Sequence, residues 1–271
     1  MADVKISALP AATTPLAGTE VLPIVQSGVT TKVAVSNLTA GRAVTLGTGS
    51  ILGTPASGIL TSCTGLNYDG FKNRIINGAM VIDQRNAGAS VTPSVDTYLL
   101  DRWIVQYSQS SKFTWQQNKG SVTLPAGFSN YLGSSVASAY SVLTADYFAL
   151  NQGIEGFNVS DLSWGTANAK TVTLSFLVYS SLTGTFGGAV KNLLSGATRS
   201  YPFSYSVSVA NTWTTISITI AGDTSGTWAT NNGAGLCVTF GLGVGATYSG
   251  TAGSWAGTNY LSATGAVSVV G

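Results

Sequence analysis

The feature that most restricts the fold of this chain is period-two alternation along four separate stretches. Tyr201, Phe203, Tyr205, Val207 and Val209 share one side, with Ser204, Ser206 and Ser208 on the other. Ile216, Ile218 and Ile220 alternate with Thr215, Ser217 and Thr219, and Val172, Leu174, Phe176 and Val178 alternate with Thr171, Thr173 and Ser175. Leu236, Val238, Phe240, Leu242 and Val244 carry the pattern through glycine-rich sequence. Side chains of a strand point alternately to opposite faces. Each run therefore predicts a strand with one face in a core and the other toward solvent or a second layer. Residues 73–83, 101–107, 112–117, 131–137 and 146–154 are further strand candidates. About nine strands with no convincing amphipathic helix predict an all-β fold, a two-sheet sandwich. A short helical turn is expected at Val159-Ser160-Asp161-Leu162, with Ser160 or Asn158 as its cap.

Composition agrees with this pattern. Of 271 residues, 44% are apolar and 8% charged, the opposite of a disordered chain. The 33 glycines, with abundant Ser and Thr, favour short strands and tight turns. The 12 basic and 10 acidic residues leave a net charge of +2 with no basic stripe, which argues against nucleic-acid binding. Apolar runs fall far short of a membrane span, and Met1-Ala2-Asp3-Val4-Lys5 lacks the regions of a signal peptide. The chain is expected to be made in the cytoplasm and to leave it only within a particle.

Three segments follow. In residues 1–40, Glu20-Val21-Leu22-Pro23-Ile24-Val25-Gln26 reads as a strand, Ser27-Gly28 as a turn, and Thr31-Lys32-Val33-Ala34-Val35-Ser36 as the return strand. Pro23 cannot donate to a ladder, so that strand belongs at an edge or a bulge. Val21, Leu22, Ile24 and Val25 place apolar groups on both faces, joined by Val33 and Val35. So short a segment rarely has a core of its own. These residues are expected to bury against copies of the chain, a docking partner or the main domain. Residues 41–70 carry Gly41, Gly47, Gly49, Gly53, Gly58, Gly65 and Gly70. They read as a flexible linker or an extended shaft intertwined with two neighbours, and Ile51, Leu52, Ile59, Leu60 and Leu66 favour the ordered form. Residues 71–271 form the distal domain. Cys63 and Cys237 are read as unpaired, Cys237 on the face opposite the apolar side chains.

Residues 73–103 contain the most distinctive sequence: Asn73-Arg74-Ile75-Ile76-Asn77-Gly78-Ala79-Met80-Val81-Ile82-Asp83-Gln84-Arg85-Asn86, then Leu100-Asp101-Arg102-Trp103. With Tyr147-Phe148-Ala149-Leu150-Asn151-Gln152-Gly153-Ile154-Glu155-Gly156-Phe157 and the stretch from Trp164 to Phe176, this region resembles the jelly-roll, carbohydrate-binding-like distal domains of bacteriophage fibre proteins. Asp3-Val4-Lys5-Ile6-Ser7-Ala8-Leu9-Pro10 and Leu16-Ala17-Gly18-Thr19-Glu20 resemble the N-terminal particle-attachment segment of phage fibres and tail-associated proteins. The resemblance implies a homotrimeric virion fibre. Its N-terminus would be fixed to tail, baseplate or head proteins, and its distal β-sandwich would bind a host receptor, often surface polysaccharide. Similar proteins commonly continue with a further aromatic-rich strand where this sequence stops at Val269-Val270-Gly271.

The chain has no histidine, so catalysis would need paired carboxylates. Asp96, Asp101, Asp146, Glu155, Asp161 and Asp223 form no recognisable catalytic motif, and Asp101 beside Arg102 reads as a structural ion pair or turn bond. No enzyme activity, cofactor or metal site is expected. Sugar contact calls for exposed aromatics flanked by amides. Trp228, Tyr248, Trp255 and Tyr260, with Asn231, Asn232 and Asn259, lie in C-terminal loops and are the candidates. The alternative for each aromatic is that it anchors its loop or lies in the trimer contact. Trp103, Trp115 and Trp213 are expected in the core, and Trp164 as a plug beneath a turn. A capsid-decoration or tail-adaptor protein with no host ligand is the second reading, and a polysaccharide depolymerase the third.

Overall fold

A computed structural model describes residues 21–34 and 72–271, which fall into two separate units. The expected linker at 41–70, together with Val35 and Cys63, lies outside the described residues. The first unit is a hairpin of β1 (Val21–Gln26) and β2 (Val29–Ala34), paired from Val21↔Ala34 to Gln26↔Val29. Ser27 and Gly28 take φ of 51° and 79°, the two left-handed positions that a two-residue hairpin turn with matching twist requires. The return strand starts at Val29, two residues before its expected start. Val21, Leu22, Ile24, Val25 and Val29 are exposed, so both faces of the hairpin carry uncovered apolar side chains, and Val33 is half-buried.

The second unit is all-β among the described residues. Its strands are β3 (Thr97–Leu100), β4 (Trp103–Tyr107), β5 (Phe113–Gln117), β6 (Leu132–Val136), β7 (Tyr147–Glu155), β8 (Val172–Val178), β9 (Gly184–Lys191), β10 (Ser200–Val207), β11 (Thr214–Ile220), β12 (Ala234–Val244), β13 (Ser249–Gly250) and β14 (Ser262–Ala263). Six of them form an antiparallel sheet in the order β10-β9-β12-β7-β4-β3. Two ribbons, β8–β11 and β5–β6, cover one face of it. Leu174 and Ile220 of the first ribbon pack among Val190, Phe203, Leu236 and Val238. Phe113 and Trp115 of the second pack among Leu99, Val105 and Phe148. The register sets Leu150 against Val105 and Phe240, so both ribbons lie on one side of the sheet, in a sandwich-like two-layer arrangement.

The opposite face of the sheet is buried too, but with small and polar residues. Cys237, free and fully buried, lies on this face with Thr239, Asn151, Ala189 and Lys191. Residues 258–266 close over it. A Cβ on Gly187 would come within 2.3 Å of Ser262 Oγ and 2.7 Å of the Ala263 nitrogen, so only glycine lets this covering chain approach. Lys191 Nζ donates to the Leu194 carbonyl at 3.2 Å, and burial pulls its ammonium below the usual lysine value.

Several expectations are corrected. Residues 73–83 form no strand; they run through successive turns with Asn77 and Met80 at positive φ. Side chains stand in for a ladder here. Asn77 donates to the Ile82 and Asp101 carbonyls and accepts from the Ile82 amide, while Gln152 bonds both backbone groups of Ile76 at 2.8 Å. Asp101 makes neither an ion pair with Arg102 nor a local turn bond; it accepts from the distant Gln84 amide, whereas Arg102 pairs with Glu155 at 2.6 Å. The helical turn consists of two 3-10 turns, Gly156–Asn158 and Ser160–Leu162, and no side chain caps either one. Trp103 and Trp115 are buried as expected, but Trp213 is half-buried.

Asp146 ties the approach to β7 together. It is buried and accepts from Ser108 Oγ at 2.7 Å, Tyr140 Oη at 2.8 Å, the Leu143 amide at 3.0 Å and Gln109 Nε2 at 3.3 Å. Burial pushes its carboxyl upward, but these bonds outweigh it and hold the pKa at about 2. A folded-state value below the unfolded one stabilises the protein above the unfolded pKa. That stability is lost as pH falls from about 4 to about 2. Asp146→Asn is expected to destabilise the domain at neutral pH by about 1–3 kcal/mol. It should also flatten the pH dependence in that acid window, read from denaturation midpoints at a series of pH values. An unchanged acid slope in the variant would show that other carboxylates set it.

Candidate functional site

Three tryptophans distant in sequence meet at the β12 entry end of the sandwich. Trp164 is buried, with its ring centre 4.7 Å from Trp228 and 5.3 Å from Trp255, and the latter two are 5.4 Å apart. All three contacts are edge-to-face, the arrangement that aromatic quadrupoles favour. Each indole N–H is engaged inside the protein: Trp164 with the Lys170 carbonyl, Trp228 with that of Ser225 and Trp255 with that of Ala221. Any contact these rings make with a ligand must therefore use their carbon faces.

Two loops hold this arrangement. Residues 156–170 turn sharply at Ser163 (φ 54°) and Gly165 (φ 84°). A Cβ on Gly165 would lie 2.7 Å from the Gly226 carbonyl oxygen and 3.1 Å from Trp228 Cδ1, so the crossing of the two loops depends on this glycine. Residues 221–233 are fixed by Arg199, whose Nε and Nη2 donate to the Asp223 carboxylate at 2.6 and 2.7 Å. The Asp223 carbonyl in turn accepts from the Gly165 amide at 2.7 Å. From the other side Arg74 forks onto Asp161 at 2.8 and 2.7 Å. That pairing holds the Asp161 carboxyl at about 2, against the opposing pull of burial.

Between the loops lies a cleft of about 370 Å³. Trp164, Leu162, Leu236 and Trp228 give it an apolar wall, and Ser160, Ser163, Thr166, Asn168 and Thr230 supply hydroxyls and an amide. Its lining contains no titratable side chain. The described carboxylates are all committed elsewhere, Asp83 and Asp96 to turn and side-chain amides and the others to the partners named above. Among the described residues no group of three or more His, Cys, Asp or Glu is placed to hold a metal, and no helix is long and apolar enough to cross a membrane. The cleft can offer stacking surface and directional hydrogen bonds.

The sugar-contact candidates separate. Trp228 and Trp255 come together on Trp164, and Trp228 lines the cleft. Asn231 and Asn232 are exposed on the same loop, where Asn231 Oδ1 accepts from the Gly233 amide within its own turn. Tyr248, Tyr260 and Asn259 are not part of the cleft lining. Tyr248 packs edge-on to Tyr147, and the Tyr260 ring covers Gly250. Asn259 Oδ1 is buried with no partner. Thr166 and Asn168 lie in the stretch from Trp164 to Phe176, but nothing in the sequence marks them as contacts, because a short polar loop reads as an ordinary turn. Comparison of the chain with protein-family models, with curated proteins and with solved structures returns no match, so the chemistry of the cleft is the guide to its use.

Proposed function

We propose that this chain is a non-enzymatic fibre protein of a bacteriophage virion whose distal sandwich, a jelly roll, recognises a host surface glycan. The observation that carries the reading is the Trp228 cleft, an aromatic wall beside hydroxyls and an amide with no titratable side chain in its lining. Sugars present one apolar ring face and a rim of hydroxyls, and this lining complements both. Absence of a positioned carboxylate pair favours binding over cleavage. The hairpin of β1 and β2, apolar on both faces, suits attachment to tail, baseplate or head proteins. Made in the host cytoplasm and assembled as a homotrimer, such a fibre would gain firm adsorption from several weak sites acting together.

The test is adsorption of the folded full-length chain to intact bacterial cells. Saturable binding, competed by surface polysaccharide released from the same cells, is expected. Asn168→Ala should weaken it about three- to tenfold, the effect of losing one directional hydrogen bond. A capsid-decoration or tail-adaptor protein shares the exposed hairpin but needs no glycan cleft. Absence of adsorption by a properly folded chain would favour that second reading.

A further inference from the structure

Two asparagines of this chain are followed directly by glycine, in Asn77-Gly78 and Asn232-Gly233. In such a pair the main-chain nitrogen of the glycine can attack the asparagine side chain, because no Cβ shields it. The fold treats the two pairs in opposite ways. Asn77 is half-buried, and its side chain is held at both ends: Nδ2 donates to the Ile82 carbonyl at 2.8 Å and the Asp101 carbonyl at 3.0 Å, and Oδ1 accepts from the Ile82 amide at 2.9 Å. All three bonds must break before its Cγ can swing onto the Gly78 nitrogen.

Asn232 has no such hold. It is exposed, as are Asn231 and Gly233, and among the described residues nothing bonds its side chain. The main chain is fixed on either side of it, since the Phe157 amide donates to the Asn231 carbonyl at 3.0 Å and the Gly156 amide to the Gly233 carbonyl at 2.9 Å. The peptide between Asn232 and Gly233 carries a single bond, from the Gly233 amide to Asn231 Oδ1 at 2.9 Å. That bond holds the proton which the attacking nitrogen must lose.

We propose that Asn232 is a site of spontaneous deamidation in the folded protein, with the Asn231 side chain as its brake, and that the fold protects Asn77 from the same reaction. Water acts as base and takes the Gly233 amide proton. The nitrogen then bonds to Asn232 Cγ, the Cγ–Nδ2 bond breaks, and Nδ2 leaves as ammonia with a proton from water. A second water opens the succinimide ring at either carbonyl, giving aspartate or isoaspartate; nothing is oxidised or reduced. Isoaspartate adds one atom to the main chain immediately before β12. There is no slack there to absorb it, since a Cβ on Gly235 would lie 2.4 Å from Gly156 Cα and 2.7 Å from the Ala229 carbonyl oxygen. Ala229, Thr230, Gly235 and Leu236 line the Trp228 cleft, so the change falls on its wall. The inference does not depend on what that cleft binds.

The test keeps the full chain at neutral pH, folded in buffer and unfolded in urea, and follows the masses of the peptides containing Asn77 and Asn232 over time. The unfolded chain supplies the intrinsic rate at each site. Folded, Asn232 should convert within about tenfold of that rate, since one hydrogen bond opposes it, and Asn77 at least about a hundredfold below its own, since three do. Asn231→Ala should speed conversion of Asn232 about two- to tenfold in the folded protein and leave the rate in urea unaltered. Asn231→Asp keeps an acceptor oxygen and should not speed it. A folded rate at Asn232 more than about tenfold below the rate in urea would overturn the site. Loss of protection at Asn77 would overturn the contrast between the pairs, and a folded rate unchanged or slowed by Asn231→Ala would overturn the brake.

Discussion

Replacing Asp223 by alanine should cost the second unit about 3–5 kcal/mol, the range for breaking a buried ion pair by removing one partner. The carboxylate is 1% exposed and takes a two-point fork from Arg199, as well as the Ser225 amide at 3.0 Å. Its removal leaves the Arg199 guanidinium without its acceptor, while the Arg199 stem stays packed against Gly226, where a Cβ would fall 2.4 Å from Cγ. Asp223→Asn keeps the shape and one acceptor oxygen and should cost less. Changing both Arg199 and Asp223 to apolar residues of similar volume should recover much of the loss, because no unpaired charge remains. Urea denaturation followed by tryptophan fluorescence reads all three, since Trp228 and Trp255 flank this loop. A loss below about 0.5 kcal/mol for Asp223→Ala would mean the pair is solvent-screened like a surface bridge.

That ion pair was invisible in the sequence, and the reason shows what sequence can carry. β8, β10, β11 and β12 were legible because each presents one face to an apolar core, and alternation records such a face directly. β9 carries no alternating signal because its glycines are closely packed: a Cβ on Gly187 would meet Ser262 Oγ at 2.3 Å, and one on Gly188 the Thr239 carbonyl oxygen at 2.3 Å and the Phe203 ring at 2.4 Å. Close approach demands glycine, and glycine erases the alternating signal. The turn at Ser27-Gly28 was readable from local chemistry alone. The segment around Asn77 read falsely as a strand because its isoleucines and valine mimic one, while the bonds that hold it go to Asp101, Trp103 and Gln152 far along the chain. The cleft suffered similarly. Its aromatics stood out individually, but Trp164, Trp228 and Trp255 become one site only through pairings across long stretches of sequence.

The second large effect concerns that trio. Trp164→Ala should destabilise the domain by about 3–5 kcal/mol, the usual cost of removing a buried large aromatic. Its ring is the one against which both other indoles stand, and Trp255 in turn packs on Tyr201 at 5.2 Å. The cavity left behind cannot close easily, because the Trp228 loop is tied to Arg199 and the 156–170 loop to Arg74. Trp164→Phe keeps most of the packing but removes the donor to the Lys170 carbonyl, for about 1–2 kcal/mol. Trp228→Ala should behave differently. Trp228 is only half-buried, so its removal should cost less stability than Trp164→Ala and more adsorption to cells than its stability loss explains. Denaturation and adsorption measured on both variants separate the two roles: support beneath the cleft for Trp164, contact surface within it for Trp228. If Trp228→Ala proves the more destabilising of the two and leaves adsorption intact, Trp228 is a packing residue and the cleft must work through its hydroxyls and Asn168 alone.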